Sequence, residues 1–172
     1  MMKPSNKVKI TLILTGLSIA LLMGVMTPVT RASNPQGLII PLFNRGASTL
    51  YVRAKIGSLQ NTILMVDTGS GYMTINEDSL SKLKKQGEVT FVKKIGGILA
   101  NGSKLVVPVW RVQRVSLGGG CELHDVEAAV FPGNTRQILG LSALKKAGPM
   151  TLSFNPPQMT LSHCADSAKT VL

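Results

Sequence analysis

Residues 63–70 read Ile-Leu-Met-Val-Asp-Thr-Gly-Ser, and this short run carries more information than any other part of the chain. Four apolar residues before turn-forming residues are typical of a strand that is buried on both faces. The run ends directly in the carboxylate of Asp67. Burying a charged group is costly unless a specific interaction uses it, so Asp67 lies where core packing stops and chemistry can begin. The alternative is an ordinary exit from a strand into a turn, since Asp and Gly both favour turns.

A related pattern occurs in the second half of the chain. Residues 137–141, Gln-Ile-Leu-Gly-Leu, lead into a predicted helix over residues 142–147 that ends at a Gly-Pro pair. In the first half, the Asp67 loop leads into a predicted helix over residues 76–87, which Asn76 can cap. The order strand, glycine-containing loop, helix and glycine therefore appears twice, although few residues are identical.

These two patterns resemble the retropepsin-like aspartic proteases, and most closely their bacterial membrane-associated or periplasmic members. The run from Asp67 through Thr68 and Gly69 to Ser70 is similar to the catalytic loop of that family. Ile138, Leu139 and Gly140 are similar to the apolar pair and glycine near the family's C-terminus. The resemblance covers about residues 51–154. It implies an all-β fold, namely a closed retropepsin-like β-barrel with a hairpin flap and one or two short helices.

The resemblance also implies an aspartic endopeptidase with Asp67 as its catalytic residue. The signature occurs once, in a chain half the size of a two-lobed pepsin, so the second aspartate would come from a second copy of the chain. In the family, the threonine equivalent to Thr68 links the two loops across a two-fold axis, and Gly69 leaves room beneath the carboxylate. Ser70 stands where many relatives have alanine, and its hydroxyl is expected either to donate to Asp67 or to bond the local backbone. Gly71 departs from the Ser or Thr that often occupies this position in the family.

A glycine-rich segment lies between two predicted strands over residues 91–95 and 104–109. Its Asn-Gly pair is a strong hairpin-turn signal, because both residue types tolerate a positive φ. In the order of the family this hairpin is the flap that closes over the substrate, and a plain surface hairpin is the alternative. The assigned flap residues are Gly97, Ile98, Leu99, Ala100, Asn101 and Gly102. A further hairpin is predicted from strands over 111–117 and 122–131.

The first 32 residues have the character of a targeting segment. Three lysines lie within the first nine residues, Ile10 to Met26 carry no charge, and small residues follow at Thr30 and Ala32. This order is typical of a secretory signal peptide, but the apolar run is also near the length of about 20 residues that anchors a chain in a membrane. We therefore expect an exported, periplasmic or extracytoplasmic domain. The expected organisation is a signal peptide or anchor over 1–32, a linker over 33–37, the protease domain over 38–164 and a tail over 165–172.

The charge pattern argues against a nucleic-acid partner. The net charge is +11, but the basic residues beyond the leader are scattered singly or in pairs, and aromatic residues make up only 4% of the chain. Nucleic-acid binding needs a basic patch and stacking surfaces. We expect a second copy of the chain and a peptide or protein substrate as partners, with a membrane contacted through the N-terminal segment.

Cys121 and Cys164 both lie in the exported part of the chain. An oxidising compartment permits a disulfide between them, but sequence spacing does not set their distance, so two free thiols are the alternative. His163 adjoins Cys164 and His124 is isolated, but neither cysteine has a metal-ligating neighbour at the usual spacing, and we predict neither a metal nor a cofactor.

Two functions of different classes follow from this reading. The first is a homodimeric aspartic endopeptidase that acts on exported or membrane protein. The second is a non-catalytic, exported β-barrel module that binds peptides or acts as a scaffold.

Overall fold

The computed structural model describes residues 37–98, 102–162 and 164. The expected targeting segment, residues 33–36 of the linker, residues 99–101 of the hairpin tip and the tail over 165–172 lie outside the described residues. The elements are β1 (Leu38–Pro41), β2 (Tyr51–Ile56), β3 (Leu59–Val66), β4 (Met73–Asn76), α1 (Glu77–Lys85), β5 (Val89–Ile98), β6 (Lys104–Leu117), β7 (Cys121–Phe131), β8 (Ile138–Leu139), α2 (Leu141–Leu144), β9 (Met150–Phe154) and β10 (Pro157–Leu161). The prediction of an all-β fold with one or two short helices is confirmed. Within the described ranges, no helix has the length and apolar character that crossing a bilayer requires.

The main sheet closes on itself. Its seven strands follow the order β2-β3-β8-β4-β7-β6-β5, and β2 also pairs with β6, which joins the two sides into a ring. The length of β6 makes this possible. One edge of β6 pairs with β5 over residues 104–112 and with β2 over residues 115–117. The expected closure of the sheet is therefore confirmed.

A second sheet covers one side of the core. It is antiparallel, with the order β1-β10-β9. Ile40 of β1 and Met159 of β10 belong to the same buried cluster as the strands of the ring, so the two sheets share one core. The structure also contains a disulfide between Cys121 and Cys164, whose Cα atoms lie 4.8 Å apart. This bridge ties the start of β7 to the chain just beyond β10.

Helix α1 begins as its sequence indicates. The side chain of Asn76 caps the helix by accepting the N–H of Ser79 at 2.9 Å. Acidic residues occupy its first turn and lysines its last turn, where they complement the helix dipole. The buried side chain of Leu83 holds the helix against the core.

Strand β6 and helix α2 are among the elements whose bounds differ from the sequence prediction. Strand β6 is continuous from Lys104 to Leu117, whereas two strands were expected. Trp110 continues the ladder, because it pairs with Phe91 on one side and Ala128 on the other. Helix α2 is also shorter than predicted and ends at Leu144, after which the chain forms turns.

Candidate active site

Strand β3 delivers Asp67 to the boundary between core and surface. Leu64 is fully buried and Val66 packs against the core. Because successive side chains of a strand point to opposite faces, Met65 lies on the other side of β3, and Asp67 is the first residue after the strand. Asp67 itself is half-buried, while Thr68 and Gly69 behind it are exposed. The Asp67 carboxylate therefore lies at the edge of the exposed surface that Thr68 and Gly69 form.

The glycine after Thr68 fixes the carboxylate. The N–H of Gly69 donates to Oδ1 of Asp67 at 2.9 Å, and the N–H of Ser70 donates to the carbonyl of Asp67 at 3.3 Å. A Cβ at Gly69 would lie 3.2 Å from Oδ1, which is tighter than an ordinary contact. A glycine at position 69 therefore lets the backbone N–H approach the carboxylate closely. A residue with a side chain would have to displace the carboxylate to do the same.

The glycine motif of the second half directly supports this loop. Strand β8 lies between β3 and β4, parallel to β3 and antiparallel to β4. The N–H of Asp67 donates to the carbonyl of Leu139 at 3.2 Å, and the N–H of Leu141 donates to the carbonyl of Ser70 at 2.8 Å. The two motifs that the sequence placed far apart are therefore in contact, and each end of the Asp67 loop is bonded to residues 139–141.

The close approach of the Asp67 loop leaves no room for a side chain at Gly140. A Cβ at this position would lie 2.6 Å from the carbonyl carbon of Tyr72 and 2.9 Å from the carbonyl oxygen of Ser70, and it would also overlap the carbonyl oxygen of Tyr72. The φ of Gly140 is −98°, an angle that any residue adopts. The close approach of the loop, and not an unusual backbone conformation, explains the glycine.

The Ser70 hydroxyl supports the loop in a different way from the one expected. It donates to the carbonyl of Tyr72 at 2.7 Å. A hydroxyl has one proton to donate, so the expected hydrogen bond to Asp67 is wrong and the local-backbone alternative is what the structure shows. The exposed Thr68 makes no side-chain hydrogen bond within the described part of the chain.

Ser142 is a supporting residue that the sequence analysis missed. Its hydroxyl accepts the N–H of Met73 at 2.7 Å and donates to the carbonyl of Glu127 at 2.6 Å. One side chain of α2 therefore joins β4, which follows the Asp67 loop, to β7. No local pattern indicates this role, because both partners lie on other strands.

The predicted flap segment forms the outer end of a long hairpin. Strands β5 and β6 pair from Val89 opposite Val112 to Ile98 opposite Lys104. Strand β7 pairs with β6 only from Val109 onward, so residues 104–108 and their partners on β5 extend beyond the ring as two strands. A small apolar cluster at the base includes Val107, Val109 and Tyr72, which connects this hairpin to the end of the Asp67 loop. The role of Gly97 to Gly102 as a lid stays a prediction.

Lys93 of β5 makes a second contact between the hairpin and Tyr72. Its ammonium lies 5.6 Å from the centre of the Tyr72 ring and 3.7 Å from Oε2 of Glu127. The nearby Tyr72 side chain, with a smaller effect of the Glu127 charge, raises the pKa of Lys93 above its usual value. Tyr72, at the end of the Asp67 loop, is therefore linked to the hairpin both by the apolar cluster and by Lys93.

Several other acids have structural partners. Glu77 accepts the N–H of Gly133 at 2.7 Å, Glu88 accepts both the N–H and the hydroxyl of Ser58 at 2.8 Å, and Glu127 pairs with basic residues. Asp67 makes no ion pair among the described residues. No group of three or more His, Cys, Asp or Glu side chains in the same ranges is arranged to hold a metal.

Comparisons with known proteins agree with this geometry. The family model described as "gag-polyprotein putative aspartyl protease" matches residues 52–146, which include the Asp67 loop, the hairpin and Gly140. A solved structure of a retropepsin-like aspartic protease from Rickettsia conorii shares the fold, with a TM-score of 0.50 and 18% sequence identity over 72% of this chain and 89% of that chain. No curated protein gives a significant match. The chain thus belongs to the retropepsin-like family of aspartyl proteases that this model describes.

Proposed function

We propose that the protein is a homodimeric aspartic endopeptidase, in which Asp67 of each copy activates a water molecule that hydrolyses a peptide bond. The observation that carries this proposal is the construction of the Asp67 loop. Its carboxylate is oriented by the Gly69 N–H, and the loop is bonded on both sides to residues 139–141. This geometry holds a carboxylate rigidly at the surface, where a second chain can approach it.

The paired carboxylates would divide the chemistry between them. Two carboxylates about 3 Å apart share one proton, because both cannot ionise cheaply at that distance. The ionised member takes a proton from water, and the resulting oxygen attacks the substrate carbonyl. The protonated member donates a hydrogen bond to the carbonyl oxygen and stabilises the tetrahedral intermediate. When the carbon–nitrogen bond breaks, the carboxyl that took the proton from water gives it to the departing amine, and the pair again shares one proton.

The residues around Asp67 would prepare it for this role. The Gly69 N–H engages Oδ1, which leaves Oδ2 for the water and for the second carboxylate. The exposed Thr68 side chain is available for a contact between the two loops. Because the Asp-Thr-Gly-Ser run occurs once in the chain, the second carboxylate is expected from the second copy.

Replacement of the carboxylate tests this proposal. Asp67→Asn keeps the size of the side chain but removes the acid–base group, so cleavage of a mixed peptide library should be lost. Asp78→Asn is the matched control, because Asp78 is an exposed acid in the first turn of α1. The control should cleave like the wild type and, like it, be inhibited by pepstatin. Equal cleavage by Asp67→Asn would refute the catalytic role.

Dilution tests the dimer. Activity per chain should fall as the concentration drops below the dimer dissociation constant, since a single chain supplies one carboxylate. Sedimentation over the same concentrations measures that constant directly. Constant activity per chain far below it contradicts a shared site. Peptide binding without cleavage by the wild type favours the scaffold alternative.

We also propose that the domain is exported and is either released by cleavage near residue 32 or held at the membrane by its N-terminal segment. The order of charged, apolar and small residues supports this proposal, and the bridge between Cys121 and Cys164 suits an oxidising compartment. N-terminal sequencing of protein from soluble and membrane fractions tests it. Full-length protein in the cytoplasm with both thiols free contradicts it.

A further inference from the structure

Arg136 is an exposed arginine held beside the strand that carries Asp67. Its Nη1 atom lies 3.5 Å from Sδ of Met65. Met65 is the second-last residue of β3, and Asp67 is the residue directly after that strand, so the two are only two residues apart in the chain. The guanidinium therefore lies at the end of β3, beside the residue two positions before the catalytic carboxylate.

The backbone around Arg136 is fixed on both sides. The N–H of Met65 donates to the carbonyl of Gln137 at 3.0 Å. On the other side, the hydroxyl of Thr74 contacts the carbonyl of Arg136 at 3.5 Å. The side-chain amide of Asn76 donates to the carbonyl of Thr135 at 3.3 Å. Thr74 and Asn76 are each only 5% exposed, so these anchors are themselves held in place. The position from which the arginine side chain extends is therefore well defined.

The charge of Arg136 is not balanced by a carboxylate of the described chain. The ion pairs there use Lys93, Arg111, Arg114 and His124. The contact that Arg136 does make is with a thioether, which is a weak acceptor. An arginine is always charged in proteins, and its planar donors fit a carboxylate in a two-point interaction. This site therefore has the chemistry to receive an acidic side chain from another molecule.

We propose that Arg136 selects substrates that carry an acidic side chain within two residues of the cleaved bond, an inference that rests on the proposed protease function. Residues of an extended chain are spaced about 3.3 Å apart, so Met65 lies within about 7 Å of Asp67, which directly follows β3. An extended peptide has the same spacing, and a side chain one or two residues from the attacked carbonyl reaches the guanidinium. Because each copy contributes one Arg136, the preference occurs on both sides of the bond.

Paired peptides that differ only by Glu or Gln at these positions test the proposal. For the wild type, we expect kcat/KM to be about tenfold higher for the Glu peptide at one or more of these positions on each side. The ratio of kcat/KM for the Glu peptide to that for the Gln peptide should decrease as salt is raised from about 0.01 M to about 1 M, because the screening length shrinks from about 30 Å to about 3 Å. Arg136→Gln should bring the ratio close to one, and Arg136→Glu should favour Lys in place of Glu. Lys82→Glu makes the same change of charge on the exposed side of α1 and should keep the Glu preference.

The outcomes separate this inference from the proposed function. Cleavage with equal kcat/KM for Glu and Gln at every position, or a Glu preference that survives in Arg136→Gln, overturns the role of Arg136 and leaves the protease standing. If the wild type cleaves no peptide, the proposed function fails. Calorimetry of the uncleaved Glu and Gln peptides with Asp67→Asn then decides the role of Arg136. About tenfold tighter binding of the Glu peptide supports it, and equal affinities overturn it.

Discussion

Gly140→Ala should destabilise the protein through a single methyl group. The new Cβ would lie 2.6 Å from the carbonyl carbon of Tyr72 and 2.9 Å from the carbonyl oxygen of Ser70. Both are backbone atoms, so the clash can be relieved only if the Asp67 loop moves away from β8. Overpacking of this kind costs about 1–3 kcal/mol, and the lower entropy of the unfolded alanine chain returns about 0.4–1 kcal/mol. Because the clash is with backbone atoms, the upper end of the first range applies, and we expect a net loss of about 2 kcal/mol in the free energy of unfolding.

Urea unfolding measures this loss. With an m-value of about 2 kcal/mol/M, the midpoint should fall by about 1 M. Gly71→Ala is the matched control in the same loop, because nothing lies within 4 Å of a Cβ at Gly71. The control should unfold at the wild-type midpoint or slightly above it.

The same pair of variants should differ in catalysis. A displacement of about 1 Å at a catalytic group can cost about 100-fold in rate, so Gly140→Ala should lose kcat even where it is still folded. Gly71→Ala should stay within a few-fold of the wild type. Equal midpoints for the two variants would refute the close packing of Gly140 beneath the loop, and equal kcat values would refute its role in positioning Asp67.

Three further results are expected. Ser70→Ala should leave both flanks of the pH–rate profile in place and cost about 1 kcal/mol of stability, because the hydroxyl donates to Tyr72; movement of either flank contradicts this. Gly97→Val should lower turnover while changing the free energy of unfolding by less than about 0.5 kcal/mol, since the nearest atom to its Cβ is 3.8 Å away; unchanged kinetics indicate a plain surface hairpin. Replacing Cys121 and Cys164 together by alanine should cost up to about 4 kcal/mol in urea unfolding, given a sequence separation of 43 residues, and unchanged stability argues against a cross-link that constrains the unfolded chain.

Much of the local structure could be predicted because its causes are local. The apolar run before Asp67 predicts strand β3, which ends at Val66, directly before the acid. Alternation of apolar and polar residues predicts the half-buried strand β2 with its exposed Arg53 and Lys55. Asn76 followed by two acids predicts the start of α1. In each case the residues that decide the structure are neighbours in the sequence, so their pattern carries the information.

The contacts that support the site depend on pairing between distant segments. Strand β8 has only two residues and is defined by the strands on either side of it, which no local pattern reveals. The direction of the Ser70 hydroxyl was undecided because two acceptors were within reach of a serine in that turn, and the position of the Tyr72 carbonyl decides between them. Ser142 and Arg136 were missed for the same reason, since their partners lie on other strands.

The pairing of β1 with β10 has a practical consequence for protein engineering. Leu38 lies opposite Leu161, so the two outer ends of the described domain leave it side by side. A short flexible linker can span such neighbouring strands, and Gly46 lies in an exposed stretch with nothing within 4 Å of a Cβ. A circular permutant with new ends at Gly46 would therefore keep every strand ladder. An affinity tag on either natural end of this domain would emerge at the same place.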